Sequence, residues 1–305
     1  MQSPLTGIVP PLVTPLLGRD QLDYAGLQRL IEHVLGGGVS GLFILGTTGE
    51  GPGLSYRLRR EMIETTCQIV AQRVPVLVGI TDSAIVESLA IAEWSAKCGA
   101  AAVVVAPPYY LPPGQPELQG YIERLVSELP LPLVLYNMPS LTKVAFSIPT
   151  VEALLQQPRI IGIKDSSGDM VYVHRLLRAI KSRPDWTMMI GPEELLGDAV
   201  LLGAHGGVSG GANLFPKLYV KLFQAARSGD LNRAKELHQI ILRVSGSLYR
   251  IGRHPSSIIK GIKCALACLG VCDDFLAEPF RRFRPEERAL VESRLQMLEA
   301  EIEKI

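Results

Sequence analysis

Short, almost wholly apolar runs alternate along this chain with longer amphipathic stretches, and that alternation constrains the fold more than any other feature. The runs are residues 7–15, 41–46, 75–81, 101–108, 131–137, 160–166, 187–191 and 206–211. A strand with water on one face alternates apolar and polar residues. A strand covered on both faces has no need to, so runs such as AAVVVAPP and LPLVLYN predict parallel strands covered by helices. The stretches between them have the helical period. Residues 22–35 place Leu27, Leu30, Ile31 and Val34 on one face, and residues 55–71 do the same with Leu58, Met62 and Ile63, with Ile69 nearby. Strand followed by helix recurs about every 30 residues, and eight such units in about 220 residues predict an α/β fold of the closed (β/α)8, or TIM-barrel, type. Its active site would sit at the C-terminal edge of the strands. After Pro216 the apolar runs stop, and residues 217–305 read as helices broken at Gly229-Asp230, Gly252 to Pro255, Gly270 to Asp273 and Arg284-Pro285. The expected division is a barrel over residues 1–222 and a helical bundle over residues 223–305 packed on it, with no linker or repeat to mark a second independent domain.

Charge excludes one class of function. With 31 Lys+Arg against 30 Asp+Glu the formal charge is +1, which offers no field for nucleic acid or for an anionic membrane surface. Five cysteines (67, 98, 264, 268 and 272), none in a C-x-x-C spacing, suggest neither a disulfide framework nor a metal site. Cys264, Cys268 and Cys272, at i, i+4 and i+8, read as one buried helical stripe. The longest apolar stretch, residues 99–113, is interrupted by Pro107, Pro108 and Pro112 and does not read as a membrane helix. The opening MQSPLTGIVPPLVTP has no basic region ahead of an apolar one, so no secretory leader is expected and the cytoplasm is the expected compartment.

The ends of the apolar runs are unusually polar. Lys164 follows Ile160-Ile161-Gly162-Ile163, where both strand faces should be buried, and an unpaired ammonium there is costly. It either forms a buried ion pair, with Asp165 or Glu50 as candidates, or serves as an amine nucleophile, since desolvation favours the uncharged form that attacks a ketone. Gly46-Thr47-Thr48-Gly49 is an acceptable tight turn or a cradle whose backbone N–H groups and hydroxyls hold an anion. Tyr136, at the end of the fifth run, is a packed aromatic or a phenol relaying a proton to a nearby nucleophile. His205, between glycines, reads as a histidine satisfying backbone groups.

Four segments taken together, G-T-T-G-E (46–50), Y-N-M-P-S (136–140), I-I-G-I-K-D-S-S-G (160–168) and G-A-H-G-G-V-S-G-G-A-N (203–213), resemble the dihydrodipicolinate synthase / N-acetylneuraminate lyase family of class I, pyruvate-handling aldolases. The resemblance runs from residue 5 into the helical tail. It implies a barrel with a helical extension, a homotetramer built as a dimer of dimers, and no metal or organic cofactor, the reaction passing through a covalent imine. Residue by residue, it implies that Lys164 forms the imine with pyruvate or another 2-oxo acid, and that Thr47 and Thr48 hold the carboxylate. Tyr136 would pass protons, and Tyr110 would reach into the neighbouring subunit's site to complete the relay. Gly191 and Val208 would line the pyruvate pocket.

One position departs from the synthase pattern. After Tyr136-Asn137-Met138-Pro139-Ser140 the synthases carry an arginine that binds the carboxylate of aspartate semialdehyde, and here it is Leu141, which has no donor to offer. The expected partner of the oxo acid is therefore an uncharged or hydroxylated aldehyde, so that the substrate would be a 2-keto-3-deoxy sugar acid or a sialic-acid-like compound. Lys143, where the family usually has glycine, is expected to face solvent. Condensation with aspartate semialdehyde and dehydration of a sugar acid are the alternatives within the family. Outside it stand a non-catalytic 2-oxo-acid-binding protein and a phosphate-binding barrel using Gly203 to Gly211.

Overall fold

The computed structural model describes residues 4–304. The first three residues of the opening segment discussed above, and Ile305, lie outside the described residues. In chain order the strands are β1 (Gly7–Ile8), β2 (Leu16–Gly18), β3 (Gln21–Leu22), β4 (Leu42–Ile44), β5 (Val76–Gly79), β6 (Ala102–Val105), β7 (Leu133–Asn137), β8 (Ile160–Asp165), β9 (Thr187–Ile190) and β10 (Gly206–Gly207). β2 and β3 form a small antiparallel hairpin. The other eight are parallel, in the order β1-β10-β9-β8-β7-β6-β5-β4, and a bridge between Pro11 and Phe43 brings the two edges together into a closed barrel. The expected run 7–15 yields only β1 and that bridge, because Pro10 and Pro11 have no N–H to give to a ladder. The run 206–211 likewise stops after Gly207, and residues 210–213 coil into a tight helical turn.

Helices α1 (Tyr24–Gly36), α2 (Tyr56–Val70), α3 (Ile85–Lys97), α4 (Gln115–Glu128), α5 (Pro139–Thr142), α6 (Ile148–Leu154), α7 (Met170–Ala179), α8 (Leu196–Leu201) and α9 (Pro216–Ser228) lie between and after the strands. Several start on a side chain that accepts the first free N–H groups: Asp23 caps α1 through Gly26 N, Ser55 caps α2 through Leu58 N, and Asp169 caps α7 through Val171 N and Tyr172 N. Each such cap contributes about 1 kcal/mol. The tail forms α10 (Leu231–Leu248), α11 (Ser257–Cys268) and α12 (Pro285–Ile302), separated at the breaks expected from glycine and proline. The boundary expected at 222/223 falls inside α9. Cys272 is not on the cysteine stripe, because α11 ends at Cys268 and Gly270, at φ +70°, turns the chain away. Among the described residues no helix is long and apolar enough to cross a membrane.

Two apolar layers explain why the strands read as continuous hydrophobic runs. Ala102 and Val104 of β6, Val134 and Tyr136 of β7, Met189 of β9 and Val208 fill the barrel interior together with Leu5, Val9 and Phe43. Their alternates Val103, Val105, Leu133, Leu135 and Met188 pack outward against the helices. Phe43, Val104, Tyr136 and Val208 of this interior layer also line the site.

Candidate active site

Lys164 is the last residue but one of β8, and its direction depends on an irregularity of that strand. Leu133 of β7 pairs with Ile160, but the next residue, Val134, pairs with Gly162, so Ile161 is skipped and Tyr136 comes to lie opposite Lys164. Gly162 permits the slip: a Cβ there would stand 2.3 Å from the Thr187 carbonyl oxygen. Without it Ile163 would face Tyr136. With it Ile163 packs outward and the lysine enters the barrel.

Inside, Lys164 is 6% exposed. Its Nζ lies 3.9 Å from the centroid of the Tyr136 ring and 5.1 Å from that of Phe43, and the two rings meet edge to face at 6.3 Å. The carboxylates that might have paired with it are otherwise engaged. Asp165 is wholly buried on the other side of the strand, where it accepts from Asn137 Nδ2 (2.7 Å) and Ser167 Oγ (2.8 Å), and its burial raises its carboxyl pKa. Glu50 is bound to Lys263 at 2.7 Å. The buried-ion-pair reading of Lys164 thus finds no carboxylate partner among the described residues.

Thr47, in the turn after β4, places Oγ1 3.2 Å from the Tyr136 hydroxyl. Burial alone would push that phenol up, but the charge of Lys164 and hydrogen bonds from Thr47, Lys164 and Ser166 outweigh it, leaving the phenol below its ordinary value. A phenol easier to ionise beside an amine is suited to taking and returning a proton.

Thr47 and Tyr136 line a cavity of about 80 Å³ with Thr81, Pro52, Tyr109, Met138, Leu141 and Thr142, and among the described residues no charged side chain lines it. Beneath, Lys164 and Val208 line an apolar space of about 20 Å³ that shares the Phe43 and Val104 walls. Thr48 follows Thr47 in the same turn, half-buried. Gly191 donates its N–H to Asp165 O at 2.7 Å, and any Cβ on it would strike Ser166 Oγ. Tyr110 does not enter this chain's own cavity: it is 81% exposed, and of this adjacent pair Tyr109 lines the wall. Lys143 is exposed and donates to Ser140 O, in the left-handed conformation (φ +63°) that a glycine adopts without strain. His205 Nδ1 accepts from Met188 N, a backbone-satisfying role as expected.

The sequence reading overlooked Phe43, Ser166, Tyr109 and Met138. Ser166 could have been found from its place two residues after Lys164, whereas Phe43 sits in a continuous apolar run and Tyr109 and Met138 lie on loops without period. A wider groove of about 670 Å³, between Cys67, Gln72 and Cys98, opens at the N-terminal edge of β5 and β6, the end of a barrel associated with stability rather than chemistry. Burial pushes the Cys67 thiol there up to about 12.

Comparison with known proteins shows what the whole chain is similar to. The profile of the Dihydrodipicolinate synthetase family matches residues 4–298. The 4-hydroxy-tetrahydrodipicolinate synthase of Bartonella bacilliformis is 33% identical over 296 residues, 96% of this chain and 97% of that one. The solved dihydrodipicolinate synthase of Bacteroides thetaiotaomicron is 52% identical and superposes with a TM-score of 0.95 over 97% of this chain and 100% of that one. YagE of Escherichia coli K12, a prophage protein of the dihydrodipicolinic acid synthase family solved in complex with pyruvate, is 30% identical with a TM-score of 0.92 over 97% of this chain and 99% of its own. YagE carries the provisional name 2-dehydro-3-deoxy-D-gluconate aldolase.

Proposed function

The chain belongs to the dihydrodipicolinate synthetase family of lyases, and from that premise we propose that it is a Schiff-base aldolase in which Lys164 forms an imine with the C2 carbonyl of pyruvate or a related 2-oxo acid. The observation that carries this reading is a lysine 6% exposed, without a carboxylate partner, opposite a tyrosine that is hydrogen-bonded to a threonine. The pyruvate complex of YagE supports the choice of oxo acid. Thr47 and Thr48 hold the carboxylate through hydroxyls and backbone N–H groups. Lys164 Nζ adds to C2, and Tyr136, in contact with Thr47, returns the proton that lets water leave. The iminium draws electrons from C3, which loses a proton to give an enamine. That enamine attacks an aldehyde or, in reverse, is expelled as the C3–C4 bond of the longer acid breaks. No metal or organic cofactor takes part, and expulsion of a hydroxyl beside the same enamine would make the reaction a dehydration.

For the second substrate the uncharged wall formed by Met138, Leu141, Tyr109, Thr81 and Pro52 favours a neutral or hydroxylated aldehyde, and hence a 2-keto-3-deoxy sugar acid or a sialic-acid-like compound as the full-length substrate. Condensation with aspartate semialdehyde is the second reading, favoured by 52% identity to the Bacteroides thetaiotaomicron synthase and opposed by Leu141. Tyr110 and Leu111, 81% and 79% exposed beside the cavity, fit a face covered by a second copy, so that Tyr110 completes the partner's relay in a homotetramer working in the cytoplasm. The test is borohydride trapping. Incubation with pyruvate followed by reduction should leave a pyruvyl adduct on the Lys164 peptide and none in Lys164→Ala. Absence of an adduct with pyruvate and with longer 2-oxo acids would remove the proposal.

A further inference from the structure

Glu50 closes the threonine turn, and its surroundings do not suit a residue kept for stability alone. It is a glutamate at φ +56°, where a side chain costs energy, and its carboxylate is buried. Oε1 accepts from Lys263 Nζ at 2.7 Å and Oε2 from Ala277 N at 2.8 Å. Lys263, on α11 and wholly buried, gives a second hydrogen bond to Thr14 O (2.8 Å), and Thr14 Oγ1 in turn donates to Gly49 O (2.7 Å). Replacing a buried ion pair by apolar residues of like volume is often neutral or stabilising, so such a pair is weak evidence of a stability device.

What the pair does hold is the geometry of the turn. Backbone hems the turn in on the other sides: a Cβ on Gly49 would come 2.9 Å from Leu12 O, and one on Gly51 2.2 Å from Leu45 O. Glu50 N donates to Thr47 O at 3.0 Å, so a displaced Glu50 carries Thr47 with it, and Thr47 Oγ1 is the group 3.2 Å from the Tyr136 hydroxyl.

We propose that Lys263, in the C-terminal helical extension, is a positioning residue for 2-oxo-acid binding, acting through Glu50 to set the Thr47-Thr48 turn over Lys164. This rests on the Schiff-base reading, and it makes the extension part of the binding site although none of its described residues line the cavity. The experiment is the pyruvate dependence of borohydride trapping, with thermal midpoints measured alongside, for the wild-type chain, Lys263→Met and Glu50→Gln. Glu50→Gln keeps an acceptor for Ala277 N and is the variant that decides if Lys263→Met does not fold. Half-saturating pyruvate should rise by roughly tenfold or more in the folded variants, while the trapping rate at saturation changes far less, because Lys164 is untouched. Unchanged half-saturation in a folded variant, or a fall confined to the saturated rate, would overturn the inference. If the wild-type chain forms no adduct, the Schiff-base reading fails, and this inference with it.

Discussion

Glu193 should make the protein less stable as the pH rises from the acid range to neutrality. Its Oε1 accepts from the hydroxyls of Tyr219 (2.6 Å) on α9 and Tyr249 (2.9 Å) at the end of α10, and its Oε2 accepts from Gly211 N (2.8 Å). Burial pushes this carboxyl up from 4.5 to about 7 in spite of those hydrogen bonds, with Glu194 adding to the rise. The folded state therefore holds a proton that the unfolded chain has released between these two values. Stability falls as pH rises from about 4.5 to 7 and is flat on either side. The difference between 4.5 and about 7, at about 1.4 kcal/mol for each tenfold step in acidity, amounts to about 3 kcal/mol in all. Glu193→Gln fixes the group in a neutral form of the same shape, so comparing the two proteins cancels every other titrating group. Urea unfolding at about pH 5 and about pH 8 should show the wild-type chain losing about 2 to 3 kcal/mol relative to the variant. Parallel pH curves would refute the reasoning and mean that the carboxylate is ionised in the fold without cost.

Tyr136→Phe keeps the edge-to-face contact with Phe43 but removes the relay, and kcat should fall by roughly a hundredfold or more while a pyruvate adduct remains trappable at long times. Thr47→Val removes a hydrogen bond that lowers the Tyr136 phenol, so the limb of the pH–rate profile that reports its ionisation should move to higher pH; an unmoved limb would show that the 3.2 Å contact carries no proton coupling. Leu141→Arg, at a position 52% exposed and lining the upper cavity, should lower KM for an aldehyde bearing a carboxylate by roughly tenfold without loss of stability. Trp186 is fully buried and donates Nε1–H to Ile160 O, so Trp186→Ala should cost about 3 to 5 kcal/mol in urea unfolding.

Much of the fold was legible in the sequence because each barrel strand is short and buried on both faces, which leaves an apolar run with little ambiguity about its place. The runs at 75–81, 101–108, 131–137, 160–166 and 187–191 each contain an observed strand, trimmed by no more than three residues at either end. The failures are also physical. Proline took the donors from residues 7–15, and the tail's cysteine stripe was cut short where Gly270 turned the chain. Lys164, Tyr136 and Thr47 were legible because each is a polar group at the end of an apolar run, and Leu141 only through its departure from the family pattern. Phe43 and Met138 conform to their surroundings and became visible only as cavity walls.

Periodicity thus determined a barrel, and the polar ends of its apolar runs picked out side chains that could serve a site there, to which the family resemblance gave roles. Periodicity could not tell which face of β8 the lysine occupies, since counted from Ile160 it has the parity of the outward face. The slip at Ile161, permitted by the absent side chain of Gly162 against Thr187 O, reversed that parity and turned Lys164 inward, opposite Tyr136. Nor could sequence show that Glu50 is bound by a lysine 213 residues away rather than by Lys164. Both outcomes depend on which neighbour fills the low-dielectric space beside a group, and that is settled only when distant segments pack together.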